Sequence, residues 1–174
     1  KKAADAQEIM SGGVATKLPR VAELSRDTAE TQVAVYLNLD GGGECDVNTG
    51  IGFLDHMLTL LAKHSFMDLS VQAKGDLEVD SHHTVEDIGI VLGEALQQAL
   101  GDKAGIHRYG NSFIPMDETL AQVCLDFSGR PFLVFGADIP KIKLGNYDAE
   151  MTEEFFRAVA MHCGLTLHIR VLYG

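Results

Sequence analysis

Apolar residues recur with a helical period in three segments of the chain, and they cluster in short β-forming runs in five others. The helical spacing predicts helices at residues 53–65, 85–100 and 152–162. The β-forming runs predict strands at residues 31–39, 69–73, 120–127, 132–135 and 165–172. The resulting order β, α, β, α, β, β, α, β indicates an α+β protein with sheets packed against helices.

The helix predicted at residues 53–65 has Leu54, Met57, Leu58 and Leu61 at helical spacing, and His64 continues this face. The helix predicted at residues 85–100 has the clearest apolar stripe, and Gly101 is a natural end for it.

The second half of the chain repeats part of the first at a shift of 98 positions. A helix followed by a strand falls on another helix followed by a strand, which is typical of an internal duplication. The shift also pairs the ionisable residues His56 with Glu154 and His64 with His162. If the repeat holds, a second copy of the segment around His82 is expected about six residues beyond Gly174.

The composition excludes some classes of partner. The net charge of −11 disfavours binding to nucleic acid or to an anionic membrane. Three scattered cysteines suggest neither a disulfide framework nor a structural zinc site. With no predicted signal peptide or membrane span, we expect a cytoplasmic protein. Residues 1–18 are predicted to form a flexible polar arm.

The motif His82-His83-Thr84-Val85-Glu86 predicts part of a divalent-metal site. On a helix, His82 and Glu86 share a face and can bind one ion, whereas His83 is offset by about 100° and points elsewhere. We expect Asp80 and Asp87 to orient the imidazoles. The alternative is a pair of histidines at a solvated helix start.

Four further side chains are candidates for site residues, and each also has a simpler structural interpretation. His56 could be a metal ligand or a core histidine bonded to a backbone carbonyl. Arg108 and Arg130 could bind an anion, Arg130 from a rigid Gly-Arg-Pro turn, or form surface salt bridges. Glu30, just before a strand, could be an ordinary exposed carboxylate.

Long motifs in matching order from about Val21 to Gly174 resemble those of imidazoleglycerol-phosphate dehydratases. The segments that carry the resemblance are Arg26-x-Thr28-x-Glu30-Thr31, the run from Thr49 to Leu58, Gly75-Asp76-Leu77-x-x-Asp80-x-His82-His83-Thr84-x-Glu86-Asp87, Arg108-Tyr109-Gly110, Pro115-Met116-Asp117-Glu118, Asp126-x-Ser128-Gly129-Arg130-Pro131 and Thr166-Leu167-His168-Ile169.

The resemblance implies a hydro-lyase of histidine biosynthesis, which dehydrates D-erythro-imidazoleglycerol phosphate to imidazoleacetol phosphate. It also implies two fused βαββ-type repeats, of the ribosomal protein S5 domain 2-like kind, here residues 19–110 and 111–174. The second repeat lacks its C-terminal portion by this comparison. Two Mn²⁺ ions per active site and a homo-oligomer of 24 subunits are implied, with trimers as the expected metal-poor form.

Residue roles follow by motif. The residues that match metal ligands are His56, His82, His83, Glu86 and Glu154, and the remaining ligands are expected beyond Gly174. Candidate catalytic residues are Glu30, Glu86 and His82. Candidate substrate-contacting residues are Glu30, His56, His64, His82, His83, Glu86, Arg108 and Arg130, with the two arginines on the phosphate side.

The reaction that the resemblance implies explains why a metal ion is needed. The hydrogen that is lost becomes removable once the imidazole ring can accept electrons, and metal-stabilised imidazolate could expel the hydroxyl group to give a diazafulvene-like intermediate. Glu30 is the candidate for proton transfer. Two alternatives remain, a metal-dependent hydrolase and a metal-binding scaffold without activity. Turnover of imidazoleglycerol phosphate with and without Mn²⁺ separates all three.

Overall fold

A computed structural model describes residues 19–174, so the predicted arm at residues 1–18 lies outside the described part. The three predicted helices are confirmed as α1 (Gly52–Ser65), α2 (His82–Leu100) and α3 (Met151–Cys163). Gly101 caps the end of α2 with a positive φ, and its N–H donates to the carbonyls of Gln97 and Gln98. Within residues 19–174, no helix is long and apolar enough to cross a membrane.

The five predicted strands are also confirmed, and five more strands are present. The predicted ones are β2 (Thr31–Asn38), β4 (Asp68–Gly75), β6 (Thr119–Asp126), β7 (Phe132–Gly136) and β10 (Thr166–Tyr173). The prediction missed β1 (Val21–Asp27), β3 (Cys45–Asn48), β5 (Tyr109–Met116), β8 (Lys143–Leu144) and β9 (Tyr147–Asp148). These strands are short, charged or interrupted by Gly and Pro, so their propensities are weak and pairing with a neighbour determines them.

Two four-stranded sheets have the same topology, which agrees with the predicted α+β architecture. The first has the order β1-β2-β4-β3 and the second the order β5-β6-β10-β7. In each sheet the last pair is parallel and the others are antiparallel. Parallel strands need a crossover connection, and each of these connections contains a helix. The helix α1 lies between β3 and β4 in the sequence, and α3 lies between β7 and β10.

The repeat inferred from the 98-position shift has a structural counterpart. The strand β10 begins at Thr166 and β4 begins at Asp68, 98 positions earlier. The shift between the hairpins is smaller, since β6 begins at Thr119 and β2 at Thr31, 88 positions earlier. The boundary placed between residues 110 and 111 falls inside β5, whose first residue is Tyr109.

The helices α2 and α3 join the two halves. Gly89 and Gly93 of α2 face α3 so closely that a Cβ on Gly89 would lie 2.8 Å from Ala158 Cβ, and one on Gly93 would lie 2.8 Å from the Val159 carbonyl oxygen. Both positions therefore need glycine. The inner face of the first sheet packs mainly on α2, and Val33, Val35, Leu37 and Val71 on this face are buried.

Only part of the apolar face of α1 contacts the core. Leu54 and Leu58 are buried, but Met57 and Leu61 are 36% and 40% exposed, and His64 is exposed as well. The helix has apolar residues on more than one face, so periodicity alone did not identify the face that the sheet covers.

Candidate active site

His82 and His83 begin α2 and Glu86 lies one turn further along it, as the motif predicted. His82 Nε2 and Glu86 Oε2 lie 3.8 Å apart, and both side chains are about half exposed. The backbone N–H of Val85 donates to the Ser81 carbonyl, so the helix is established at this point. The geometry presents an imidazole nitrogen and a carboxylate oxygen side by side, a donor pair that suits a divalent cation such as Mn²⁺.

The carboxylate of Asp76 fixes the orientation of His83. Its Oδ2 lies 3.0 Å from His83 Nδ1, and because a carboxylate only accepts, Nδ1 donates. This bond raises the pKa of His83, and Glu30 and Asp80 raise it further through their charges. In the neutral ring the lone pair then lies on Nε2, which is the arrangement of a histidine prepared to bind a metal ion.

The expectation that Asp80 and Asp87 orient the imidazoles is wrong. Asp80 Oδ1 accepts a 2.7 Å bond from the backbone N–H of His82, so it stabilises the start of α2. Asp87 is buried at 8% exposure and contacts Arg26 and Thr31 instead. Because successive residues of a helix are offset by about 100°, Glu86 faces solvent whereas Asp87 faces the core.

Glu30 lies in the turn between β1 and β2, next to the first turn of α2. Within the turn, Thr28 Oγ1 accepts bonds from the backbone N–H groups of Glu30 and Thr31, at 3.2 and 2.9 Å. An open cavity of about 290 Å³ has Glu30, Lys74, Asp76 and Glu78 among its lining residues. Glu30 and Asp76 therefore line one cavity, and the charge of Glu30 also acts on His83, the hydrogen-bond partner of Asp76.

The other predicted metal residues do not join this cluster within one chain. His56 is exposed on α1, and Glu154 lies in the first turn of α3, 3.8 Å from Arg157. Across residues 19–174, no group of three His, Cys, Asp or Glu side chains is arranged to hold a metal ion. His64, predicted to contact substrate, is exposed at the end of α1.

Arg108 and Arg130 meet at one end of the second sheet, around Asp126. Arg108 donates to both carboxylate oxygens of Asp126, at 2.6 and 3.0 Å, and Arg130 Nη2 lies 4.0 Å from the same group. The bond from Arg108 holds the pKa of Asp126 below its ordinary value, and the charges of Arg130 and Lys103 act in the same direction. Since Arg130 remains 77% exposed, it is accessible to an anion.

Three buried polar atoms near the His-His motif have no hydrogen-bond partner within residues 19–174. They are Asp76 Oδ1, Ser81 Oγ and Thr84 Oγ1. Buried polar atoms are normally paired, so unpaired ones concentrated in residues 76–84 mark a region whose polar groups can serve a bound group or water.

Two residues of the site had no predicted role, although both stand inside the motifs. Asp76 and Asp126 each hold a candidate site residue, His83 and Arg108 respectively. Asp76 precedes the helix that carries His83, and Asp126 ends β6 whereas Arg108 precedes β5, so no periodicity within one helix or strand could have indicated either contact.

Comparison with known proteins agrees with these motifs. The sequence model of the family "Imidazoleglycerol-phosphate dehydratase" matches residues 49–174. The imidazoleglycerol-phosphate dehydratase of Acetivibrio thermocellus is 59% identical over 157 residues, which are 90% of this chain and 80% of that protein. The enzyme of an Exiguobacterium species is 63% identical over 155 residues, covering 89% of this chain and 80% of that protein.

Two solved structures share the fold. The crystal structure of imidazoleglycerol-phosphate dehydratase from Staphylococcus aureus has a TM-score of 0.79 at 45% identity, covering 88% of this chain and 85% of that one. The dehydratase from Pyrococcus furiosus, in complex with (S)-C348, has a TM-score of 0.74 at 34% identity, covering 87% and 80%.

Proposed function

Because the chain belongs to the imidazoleglycerol-phosphate dehydratase family, and is therefore a hydro-lyase of histidine biosynthesis, we propose that it converts D-erythro-imidazoleglycerol phosphate to imidazoleacetol phosphate. The observation that carries the proposal is the cavity lined by Glu30 and Asp76, with the His83 ring held by Asp76 and within reach of the Glu30 charge. A carboxylate for proton transfer and an oriented imidazole nitrogen are the groups that this dehydration needs.

Manganese is proposed as the metal, with two ions per active site held by His56, His82, His83, Glu86 and Glu154. The donor chemistry fits, since imidazole nitrogen and carboxylate oxygen suit Mn²⁺ and no thiolate is required. When bound to the ring nitrogens of the substrate, the metal would favour the imidazolate form of the ring. The remaining ligands would come from other subunits or from chain outside residues 19–174.

The chain's own residues would then position the substrate and move protons. An imidazolate ring can expel, as hydroxide, the hydroxyl group on the carbon attached to the ring, giving a diazafulvene-like species. Loss of the proton from the next carbon then returns the electron pair to the ring and leaves an enol, which tautomerises to the ketone of imidazoleacetol phosphate. Glu30 is proposed to transfer a proton to the departing hydroxyl group or from that carbon. Asp76 keeps the His83 ring in one orientation throughout, since its bond to Nδ1 fixes both tautomer and rotation.

Arg108 and Arg130 are proposed to bind the phosphate group. A guanidinium can donate two parallel bonds to phosphate oxygens. Asp126 accepts from Nε and Nη2 on one edge of the Arg108 guanidinium group. This contact would fix the direction of the other edge, which is the one available to the phosphate. Binding the phosphate at this end would fix the substrate so that its reacting carbons meet the catalytic groups.

Assembly into a homo-oligomer of 24 subunits is part of the proposal. The exposed apolar residues Met57, Leu61 and Phe66, at 36%, 40% and 68% exposure, support a subunit interface along α1. His56 lies on the same helix, so such an interface would bring it close to residues of another chain. Trimers are proposed for the metal-poor form.

The experiment is to compare Glu86→Gln with wild-type protein for Mn²⁺ content and for turnover of imidazoleglycerol phosphate. We expect Mn²⁺ affinity to fall by at least about tenfold, and turnover to fall with it, because the amide is a weak ligand. Glu94→Gln is the matched control, since Glu94 lies on the same helix, is about half exposed and pairs with His162. Normal metal content and activity in Glu86→Gln would refute the ligand assignment.

A further inference from the structure

Asp87 is a carboxylate in the buried face of α2, where its neighbours Val85, Ile88 and Val91 are apolar. Burying a charge is costly unless both of its oxygens are paired. Here Oδ1 accepts a 2.8 Å bond from Arg26 Nε, and Oδ2 accepts a bond from the hydroxyl of Thr31. An aliphatic side chain would serve packing better, so the carboxylate indicates a need for these two contacts.

The two partners of Asp87 flank the turn that carries Glu30. Arg26 lies near the end of β1 and Thr31 begins β2. Inside the turn, Thr28 Oγ1 accepts from two backbone N–H groups, and the backbone N–H of Thr28 donates to the Thr31 carbonyl at 2.8 Å. The turn is therefore held by internal bonds, and Asp87 holds it at both ends.

Asp87 also follows Glu86 directly, so the helical turn that it anchors is the one that presents His82, His83 and Glu86 to solvent. One buried carboxylate thus connects the Glu30 turn to the exposed His-His motif. The separation between Glu30 and His83 depends on that connection.

We propose that Asp87 is a positioning residue, which holds the β1–β2 turn against the first turn of α2 and thereby sets the place of the Glu30 carboxylate relative to His83. The inference rests on the proposed role of Glu30 in proton transfer. A misplacement of about 1 Å can reduce a rate by about a hundredfold, so such a contact matters to turnover more than to substrate affinity.

The kinetic test uses two variants. Asp87→Asn keeps the shape but removes the charge, and Thr31→Val removes only the hydroxyl group and leaves every charge in place. For both, we expect kcat on imidazoleglycerol phosphate with Mn²⁺ to fall by at least about tenfold while KM changes by less than about threefold. In a Glu30→Gln background neither change should lower kcat further, because both act through Glu30.

Asp68→Asn is the matched control. Asp68 likewise holds a turn of the first sheet, accepting from the backbone N–H groups of Gly42 and Glu44 at 2.8 and 3.0 Å, but that turn carries no proposed site residue. We expect it to leave kcat unchanged. A loss of kcat in Asp68→Asn equal to that in Asp87→Asn would show a general effect of stability and would overturn the proposal.

Amide hydrogen exchange tests the contact without any assay of turnover. In Asp87→Asn and Thr31→Val, the amides of Glu30 and Thr31 should exchange at least about tenfold faster, and those of Gly42 and Glu44 should not change. Unchanged exchange at Glu30 and Thr31 in both variants would overturn the proposal, as would faster exchange with unchanged kcat. If wild-type protein has no turnover, the proposed function fails, and exchange alone decides whether Asp87 fixes the turn.

Discussion

The two halves of the molecule share one sheet topology but differ in how their sheets are covered. In the first sheet, Val33, Val35 and Leu37 are at most 2% exposed because α2 packs on β1 and β2. Their counterparts 88 positions later, Ala121, Val123 and Leu125, have the same apolar character and are only half-buried. Within residues 19–174, no helix covers β5 and β6 as α2 covers β1 and β2.

The hairpin turns differ in the same way. Thr31 is buried and bound by Asp87, so the Glu30 turn is fixed from α2. At the matching place in the second half, Thr119 is half-buried, and Met116 just before the turn is 72% exposed. Strand order alone therefore does not make a rigid site, because the helix that covers the hairpin supplies the fixing contact.

The first prediction compares one core residue from each half. Leu37→Ala should lower the free energy of unfolding by about 2–5 kcal/mol, because Leu37 is fully buried beneath α2. Leu125→Ala should cost less than about half as much, since the half-buried side chain leaves a smaller cavity. Urea denaturation of both variants measures the difference.

Equal losses would contradict this comparison, because they would mean that the second sheet is covered as well as the first in solution. A change in the denaturant dependence of only one variant would indicate an altered denatured state, and its free energy would then need a separate measurement.

The second prediction concerns how the halves divide the chemistry. Arg130→Ala, in the second half, should raise KM for imidazoleglycerol phosphate by about tenfold with little change in kcat, because it removes binding common to ground and transition states. Steady-state kinetics with Mn²⁺ present measures both constants. Lys143→Ala is a control, since Lys143 is also exposed and pairs with an aspartate, Asp148. A fall in kcat without a rise in KM would place Arg130 in the reacting part of the site.

The third prediction, with the smallest effect, is the acid titration of Asp126. Its folded pKa is lowered, chiefly by the bond from Arg108, so its contribution to stability is present above the ordinary value of 3.8 and is lost as pH falls through the lowered pKa. Carboxyl NMR should therefore place its pKa below 3.8 in wild-type protein and closer to 3.8 in Arg108→Gln. The same pKa in both proteins would contradict the assigned cause.

Much of the fold could be predicted from sequence, because three helices and five strands have strong local patterns. The strands that escaped prediction are determined by pairing. β3 has only four residues, Cys45–Asn48, yet it pairs in parallel with β4 along its whole length. β5 contains Gly110 and Pro115, and it keeps an unbroken antiparallel register with β6. The shortness of β3 and the Gly and Pro residues of β5 leave both strands without a strong local β pattern, so pairing with a neighbouring strand determines them.

The candidate site was predictable to a similar degree. The motif placed His82, His83 and Glu86 on one helix, with His82 and Glu86 on the same face, and α2 begins at His82. Which carboxylate orients His83 depends on how the segment before α2 folds back, so the nearest acidic residues, Asp80 and Asp87, were the wrong expectation and Asp76 is the partner. The metal-ligand assignments themselves stay predictions, as do the substrate contacts of Arg108 and Arg130.

Because α2 and α3 approach closely at Gly89 and Gly93, a substitution there would affect residues that it does not contact. The helix α2 carries the His-His motif and α3 carries Glu154, so the separation of these groups is set where the two backbones touch. A single added methyl group at Gly89 would force the helices apart and change the distance between the His-His motif and Glu154, although it would contact neither. Gly89 and Gly93 thus set the distance between α2 and α3, and no larger side chain fits at either position unless the helices move.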